Sequence, residues 1–309
     1  MKEALNKERH EELYKLYRRS LPFIVRDQET VMGILSNAGN TIMEQRDGQD
    51  KLIGASVINQ NTILLLCVDG EHRGRGIGTS LLKRSERMIA DRGYDKITVG
   101  VGFDYIMPGV PTCRNRSQAE NVELHPEVDG RAEDFFTKRG YIHSWECDCF
   151  DMRFPLSRFN RDDLKVGDTV EGVTYRWAVP ADIGGVCACV QDGFSEFTGY
   201  YREEGLYGGS DTRVLIAVAG EEVVGALIVG AESRKERLGS VGCTVVRRSW
   251  RGRHVAVNLV TIGTGCLKEA GMEEAYLSYT YTGLDHLYGY AGYKVCVYFM
   301  MAEKTVSGE

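Results

Sequence analysis

Apolar residues recur along this chain with two periods, and the switches between them mark its elements. Residues 8–19 repeat at helical spacing. Leu13, Leu16 and Tyr17, with Leu5 before them, share one side of MKEALNKERHEELYKLYRR, an amphipathic helix. Residues 26–38 read as a second helix, entered through Arg26-Asp27. Residues 40–46, 51–59 and 61–68 then form strand-like runs rich in Ile, Leu and Val. Turn residues separate them, Gln45 to Asp50 and Asn59-Gln60-Asn61, and an antiparallel meander is expected. A glycine-rich stretch leads into a helix that runs to about Arg92, where Gly93 supplies a C-cap. Residues 95–101 read as the next strand, so strand, helix and strand predict a parallel pair with a right-handed crossover. Residues 102–130 lose the period and hold three of the six prolines, Pro108, Pro111 and Pro126. A helix over 131–139, then Gly140-Tyr141 and strands to about Phe154, complete the pass, and 156–171 reads as a linker.

The pattern then begins again. Residues 173–178 read as a strand, and Pro180 starts a helix. Residues 213–219 and 222–229 form a hairpin around Gly220-Glu221, and 239–246 is a further strand. A loop over 251–256 opens a helix to Ala270, capped by Gly271. The strand 275–281, a short helix over 284–291, Gly292-Tyr293 and a last strand, KVCVYFMM, follow. Arg73 and Arg251 stand 178 positions apart (251 minus 73), and so do Gly93 and Gly271 (271 minus 93). Gly140-Tyr141 and Gly292-Tyr293 stand 152 apart (292 minus 140). The difference of 26 places an insertion in the first repeat, after the strand ending near Val101. Two related domains are expected, over 1–155 and 172–309, with the insertion spanning 103–129.

The chemistry concentrates at the start of the helix in each repeat. The first-turn N–H groups of a helix lack backbone partners and carry partial positive charge, so a strand that turns through glycines into a helix can hold a phosphate. In the first repeat this turn is Arg73-Gly74-Arg75-Gly76-Ile77-Gly78, followed by Thr79. It differs from the dinucleotide fingerprint and lacks the Lys-Ser/Thr ending of an ATP-binding loop. The order Arg-x-x-Gly-x-Gly after a strand resembles the acetyl-CoA pyrophosphate loop of the Gcn5-related N-acetyltransferases (GNAT), written Gln/Arg-x-x-Gly-x-Gly/Ala. The ending Leu287-Tyr288-Gly289-Tyr290-Ala291-Gly292-Tyr293 resembles the family's Leu-Tyr-x-x-x-Gly-Phe/Tyr.

The resemblance implies two tandem GNAT folds of the α/β (α+β) class. Each would be a mixed, mostly antiparallel sheet flanked by helices, with a splayed parallel strand pair. It implies acetyl-CoA as co-substrate, its pantetheine paired to backbone at Cys67-Val68 and Val245-Val246. The second loop is Arg251-Gly252-Arg253-His254-Val255-Ala256, in which His254 departs from the family pattern and Ala256 stays within it. The anion-holding geometry is expected to survive at His254 if its φ is negative. The family's tyrosine falls on Phe136 in the first repeat and on Tyr288 in the second. The resemblance therefore places catalysis in the second repeat, with Tyr288 as the acid that protonates the departing thiolate. The first repeat would be a non-catalytic half, as in the tandem mycothiol synthases.

Asp285 shares a helical face with Tyr288 at i, i+3, as a candidate base or ammonium anchor; a helix-start acid is the equal alternative. His286 points away from that face and reads as a surface residue. In the insertion, Asp104 and Tyr105 lie in an unusual stretch, Phe103 to Pro111, that would either replace the missing acid or base or serve as a packing loop between the domains. Glu123, His125, Glu127 and Asp129 fit no strong ligand spacing and read as a solvated acidic loop, so no metal is expected.

The bulk composition narrows these readings. A net charge of −6 argues against a general nucleic-acid binder and suits a cationic amine substrate. No apolar run reaches the length of a membrane span, and the N-terminal stretch has no signal-peptide core. The 9 cysteines include no CxxC pair and read as buried free thiols of a reduced, cytoplasmic protein. The expected activity is acetylation of a primary amine on a small molecule. An amino sugar such as glucosamine leads, with a cysteinyl pseudo-disaccharide, a polyamine or an aminoglycoside as alternatives. A non-catalytic acetyl-CoA sensor is the reading from another class.

Overall fold

The computed structural model describes residues 2–100, 105–163, 170–281 and 283–306. Phe103 and Asp104 lie outside them. In the first pass the elements are α1 (Lys2–Ser20), α2 (Gln28–Leu35), β1 (Asn40–Arg46), β2 (Leu52–Asn59), β3 (Thr62–Val68), α3 (Ile77–Asp91), β4 (Lys96–Val99), β5 (Val110–Thr112), α4 (Arg131–Thr137), β6 (Ile142–His143) and β7 (Cys149–Pro155). In the second they are β8 (Val173–Trp177), α5 (Ile183–Gly193), β9 (Thr212–Ala219), β10 (Glu222–Ser233), β11 (Leu238–Val246), α6 (Val255–Glu269), β12 (Glu274–Tyr281), α7 (Asp285–Tyr290), β13 (Lys294–Met300) and β14 (Ala302–Thr305). Both passes follow the expected order of meander, loop, helix, parallel strand and short helix. Between α5 and β9 the chain makes short 3₁₀ turns over Ser195–Arg202 and Glu204–Tyr207, which the sequence pattern did not mark.

The chain forms two compact units. The first comprises Met1–Gln118, Leu124–Phe150 and Cys296–Glu309; the second comprises Ala119–Glu123 and Asp151–Val295. This division differs from the expected one, and the cause is strand pairing. The final strand KVCVYFMM does not end the C-terminal domain. It breaks at Met301, and β14 pairs antiparallel with β4, Ala302 opposite Val99 and Thr305 opposite Lys96. The strand over 151–155, expected to close the first domain, instead lies in the second unit beside β12.

In the first unit the strands run in the order β1-β2-β3-β4-β14-β6. Helix α3 buries Leu81, Leu82, Ser85 and Ile89 on the sheet, the stripe that 3.6 residues per turn dictates. Gly54 lets its first turn sit close, because a Cβ there would lie 2.9 Å from Ile77 Cγ2. In the second unit the order is β7-β12-β11-β10-β9-β8. Gly225 repeats the device under α6, where a Cβ would lie 2.9 Å from Leu259 Cδ1. Each glycine seats a helix N-terminus against the strand beside the one that feeds it.

In both units the central parallel pair is short. Strand β3 pairs with β4 only at Thr62/Thr98 and Ile63/Val99. Strand β11 pairs with β12 from Leu238/Glu274 to Ser240/Tyr276. Beyond those points the strands part. The expected splayed parallel pair is present twice.

Candidate active site

The two glycine loops have nearly the same backbone. Arg73 has φ −66° and ψ 159°, and Arg251 has φ −66° and ψ 156°. Gly74 and Gly252 have φ 76° and 74°. Gly76 lies at φ 83°, ψ −5°, and His254 at φ 61°, ψ 9°. The condition of a negative φ at His254 is therefore not met, yet the backbone of the loop matches that of the first. The loop keeps its left-handed turn without glycine, at a cost of roughly 1–2 kcal/mol for a side chain in that region. Histidine is among the residues enriched there. The turn aims the helix start, so its geometry outlasts the residue type that makes it easiest.

Arg73 and Arg251 do not reach outward as phosphate ligands. Arg73 Nη2 donates to Ser20 O at 2.7 Å and its Nε to Val68 O at 3.1 Å. Arg251 Nη2 donates to Gly193 O at 2.7 Å. Each arginine ties the loop to the preceding helix region, which fixes the loop rather than the ligand. In the second unit, Asn258 N–H makes the first helical bond to His254 O at 3.0 Å. The N–H groups of Val255, Ala256 and Val257 precede it and point out of the helix start. A cavity of ≈ 220 Å³ lies there, lined by Val246, Trp250, Arg251, Gly252, His254, Val255, Ala256 and Val257. Arg253 stacks on the Trp250 ring, 4.8 Å from its centroid. In the first unit the corresponding helix start carries Ile77, Gly78 and Thr79, and Arg75 Nη2 donates to Glu71 O at 3.0 Å.

Where β11 and β12 part, two residues that are not glycine take left-handed backbone: Cys243 at φ 50° and Tyr279 at φ 55°. Cys243 falls in a bulge, since Ala226 faces Val245 and Ile228 faces Gly242. A buried side chain holds each. Tyr201 Oη donates to Cys243 O at 2.6 Å. Asp151, fully buried, accepts from Tyr279 N at 2.8 Å and from Tyr276 Oη at 2.6 Å. Strain of this kind persists only where the surroundings over-determine it. The expected backbone partners sit on β11 beside the bulge, Val245 opposite Ala226 and Val246 opposite Gly225. In the first unit Cys67 lies opposite Ala55 and Val68 opposite Gly54.

Tyr288 meets this bulge. Its hydroxyl lies 3.1 Å from Thr244 Oγ1, and the ring packs edge-on against Tyr293 with centroids 6.1 Å apart. Burial pushes the phenol up to about 12, partly offset by the Thr244 bond, so the hydroxyl keeps its proton at neutral pH. Asp285 is buried, and its Oδ1 accepts from Gly283 N at 3.0 Å, so the carboxylate braces the turn before α7. His286 is 66% exposed, a surface residue, but it does not point away from Asp285 as expected: its Nε2 lies 3.7 Å from Asp285 Oδ2. In the first unit Phe136 packs edge-on against Tyr141 and, where Tyr288 stands in the second, has itself no proton to give.

Thr244, Tyr201, Tyr279 and Asp151 were not singled out from sequence. Asp151, in an apolar strand-like run, was the one with a readable signal: a lone carboxylate amid buried positions requires a partner. The quartet Glu123, His125, Glu127 and Asp129 does not converge. Among the described residues the group whose ligand atoms gather is Asp69, Glu71 and His72, and Arg19 already pairs with Asp69 at 2.6 Å. All nine cysteines are free thiols, four of them buried. No described helix is long and apolar enough to cross a membrane.

The family profile described as an Acetyltransferase (GNAT) domain matches residues 24–102. That stretch holds the first meander, the loop and α3. This is a tandem GNAT fold. It is similar to the GCN5-related glucosamine N-acetyltransferase region of a fungal multi-domain GH3 beta-N-acetylglucosaminidase, at 20% identity and TM-score 0.67. That likeness covers 96% of this chain but only 37% of the fungal one. It is similar to a GCN5-related N-acetyltransferase from Sphaerobacter thermophilus, at 19% identity and TM-score 0.65, over 96% of this chain and 92% of that one. A tandem GNAT protein from the clavulanic acid biosynthesis pathway, at 16% identity and TM-score 0.67, is covered over 96% of its length, with 98% of this chain. No curated protein sequence matches the chain. At these identities the solved structures speak to the GNAT fold.

Proposed function

We propose that the second unit transfers an acetyl group from acetyl-CoA to a primary amine of a small molecule. The observation that carries this reading is the placement of Tyr288 against the Thr244 bulge, at the mouth of a splayed strand pair fed by an intact helix-start loop. The N–H groups of Val255, Ala256 and Val257 would receive the pyrophosphate, and the backbone at Val245-Val246 would receive the pantetheine amides. The neutral amine nitrogen attacks the thioester carbonyl carbon, the C–S bond breaks, and the nitrogen loses a proton to solvent or a base. The sulfur takes a proton from the Tyr288 hydroxyl. A phenol near 12 is a weaker acid than a thiol of ~8.5, so Tyr288 acts first as a hydrogen-bond donor to the developing thiolate.

For the acceptor, an amino sugar such as glucosamine is the preferred class. Support comes from the net charge of −6 and from the fungal relative, whose region is a glucosamine N-acetyltransferase. The test is release of the CoA thiol by the purified chain against a panel of amino sugars, polyamines and aminoglycosides. Turnover with an amino sugar at the highest kcat/KM supports the reading. Acetyl-CoA binding without turnover of any amine would favour the sensor instead.

A further inference from the structure

The insertion in the first repeat has a specific position. Along the partner strand, Ala302 faces Val99 and Met300 faces Val110. Two steps there correspond to eleven here, so the chain between Val99 and Val110 holds nine residues more than the pairing needs, an extra segment of which 105–109 are described. The surplus begins just past Ile63/Val99, where β3 and β4 part. In the second unit β12 runs through the equivalent point without a break.

The extruded segment turns back into the opening. Gly100 N donates to Ile63 O at 2.9 Å, and Met107 N donates to the next carbonyl, Leu64 O, at 3.2 Å. Gly100 itself is at φ +68°, and a Cβ there would meet Pro108 O at 2.1 Å, so the backbone of the segment lies directly on the strand. Tyr105, Ile106 and Met107 are 0–1% exposed. The base of the segment is clamped. Thr112 Oγ1 donates to the buried Glu133 carboxylate, Arg116 Nη2 bonds Glu133 Oε1 at 2.6 Å, and Ser117 N donates to Asp148 Oδ2 at 2.8 Å. Closer to the loop, the Phe135 ring lies 3.6 Å from where a Gly78 Cβ would stand. Arg139 stacks on that ring and donates to Thr79 Oγ1 at 2.8 Å. Val68 O already accepts from Arg73 Nε.

We infer that residues 105–109 fill the opening between β3 and β4 that an acyl-CoA would need in the first unit, so that the chain binds one acyl-CoA, in its second unit. The inference rests on the reading of acetyl-CoA as the ligand. In the first unit a peptide amide, Met107 N–H, takes the Leu64 carbonyl of β3, in the opening three residues before Cys67-Val68. The glycine loop there keeps its form because it still seats α3, while the space it once served is filled from within the same chain.

The test is acetyl-CoA stoichiometry by calorimetry on the full chain and three variants. The unmodified chain binds one equivalent. Ala256→Asp, which puts a carboxylate at the α6 start, binds none. Ala256→Asp with residues 101–109 excised, joining Gly100 to Val110, regains one equivalent, and excision alone gives two. Two equivalents in the unmodified chain, or one retained by Ala256→Asp, would overturn the inference. A folded excision variant that gains no site, as judged by circular dichroism and melting, would also overturn it. Binding by the excision variant alone would support the plugged cleft and refute the second-unit reading; no binding by any form refutes both. Should the excision variant not fold, a photoreactive CoA analogue on the unmodified chain decides the matter. Labelled peptides from α6 and β11 support the inference, and labelled peptides from β3 or α3 overturn it.

Discussion

Replacing Tyr288 by Phe removes one hydroxyl and keeps the ring. The ring's packing on Tyr293 is unchanged by the swap, and the side chain is only 4% exposed, so no cavity larger than an oxygen atom forms. What is lost is the bond to Thr244 Oγ1 at 3.1 Å, worth about 1 kcal/mol net. A loss of that size lowers the melting temperature by roughly 2–4 °C for a chain of this size and leaves the protein folded. The catalytic effect is larger. A positioned proton donor contributes about 10²–10⁴-fold, or roughly 3–5 kcal/mol of barrier. The expected result is a fall in kcat of that order with KM for acetyl-CoA nearly unchanged, because the α6 helix start is untouched. CoA thiol release at saturating acetyl-CoA and amine reads kcat directly. A folded Tyr288→Phe protein with kcat within threefold of wild type would refute the role. A 100-fold rise in KM with kcat preserved would move Tyr288 from proton donor to binding residue.

Asp285→Asn keeps an oxygen for Gly283 N–H, so if the carboxylate only braces the turn, kcat should stay within about tenfold; a general base would lose about 10²-fold or more. At position 254, His→Val should cost about 1–2 kcal/mol in urea unfolding, because a β-branched residue resists φ 61°. His254→Gly should fall within about 1 kcal/mol of wild type, since relief of strain is offset by a freer unfolded chain. Asp151→Asn leaves the Tyr276 hydroxyl and Tyr279 N–H with a weaker, uncharged acceptor. It should destabilise by about 1–3 kcal/mol, and Asp151→Asn stability equal to wild type would show that the strained turn needs no carboxylate. Above pH 10 an unfolded tyrosine ionises while Tyr288, raised to about 12, keeps its proton. The unfolded state then binds fewer protons, so stability contributed below pH 10 is lost as pH rises from ~10 to ~12, by roughly 3 kcal/mol for this group. Urea midpoints across that window test it, and a flat profile would argue that the hydroxyl is solvated.

Local rules carry much of this protein. The stripe of Leu81, Leu82 and Ile89, the closing glycines Gly93 and Gly271, and the alternation through β1–β3 are short-range physics, readable wherever they occur. The duplication was readable as well, because two copies of one fold need their turns and caps at matching intervals. The helix-start loops and the divergence between Phe136 and Tyr288 follow from residue identity alone.

Pairing between distant strands could not be read in this way. Apolar runs such as KVCVYFMM say that a strand forms and not which edge it completes, since any edge offers the same N–H and C=O groups. Only the tertiary structure gave β14 to the first unit and residues 151–155 to the second. For the same reason nothing local joins Asp151 to its partners, Tyr279 N–H and the Tyr276 hydroxyl, which lie 125 to 128 residues away. The insertion shows the difference most clearly. Its length came from comparing the two repeats, but its place, folded back onto Leu64 in the cleft of its own unit, is a contact no periodicity encodes.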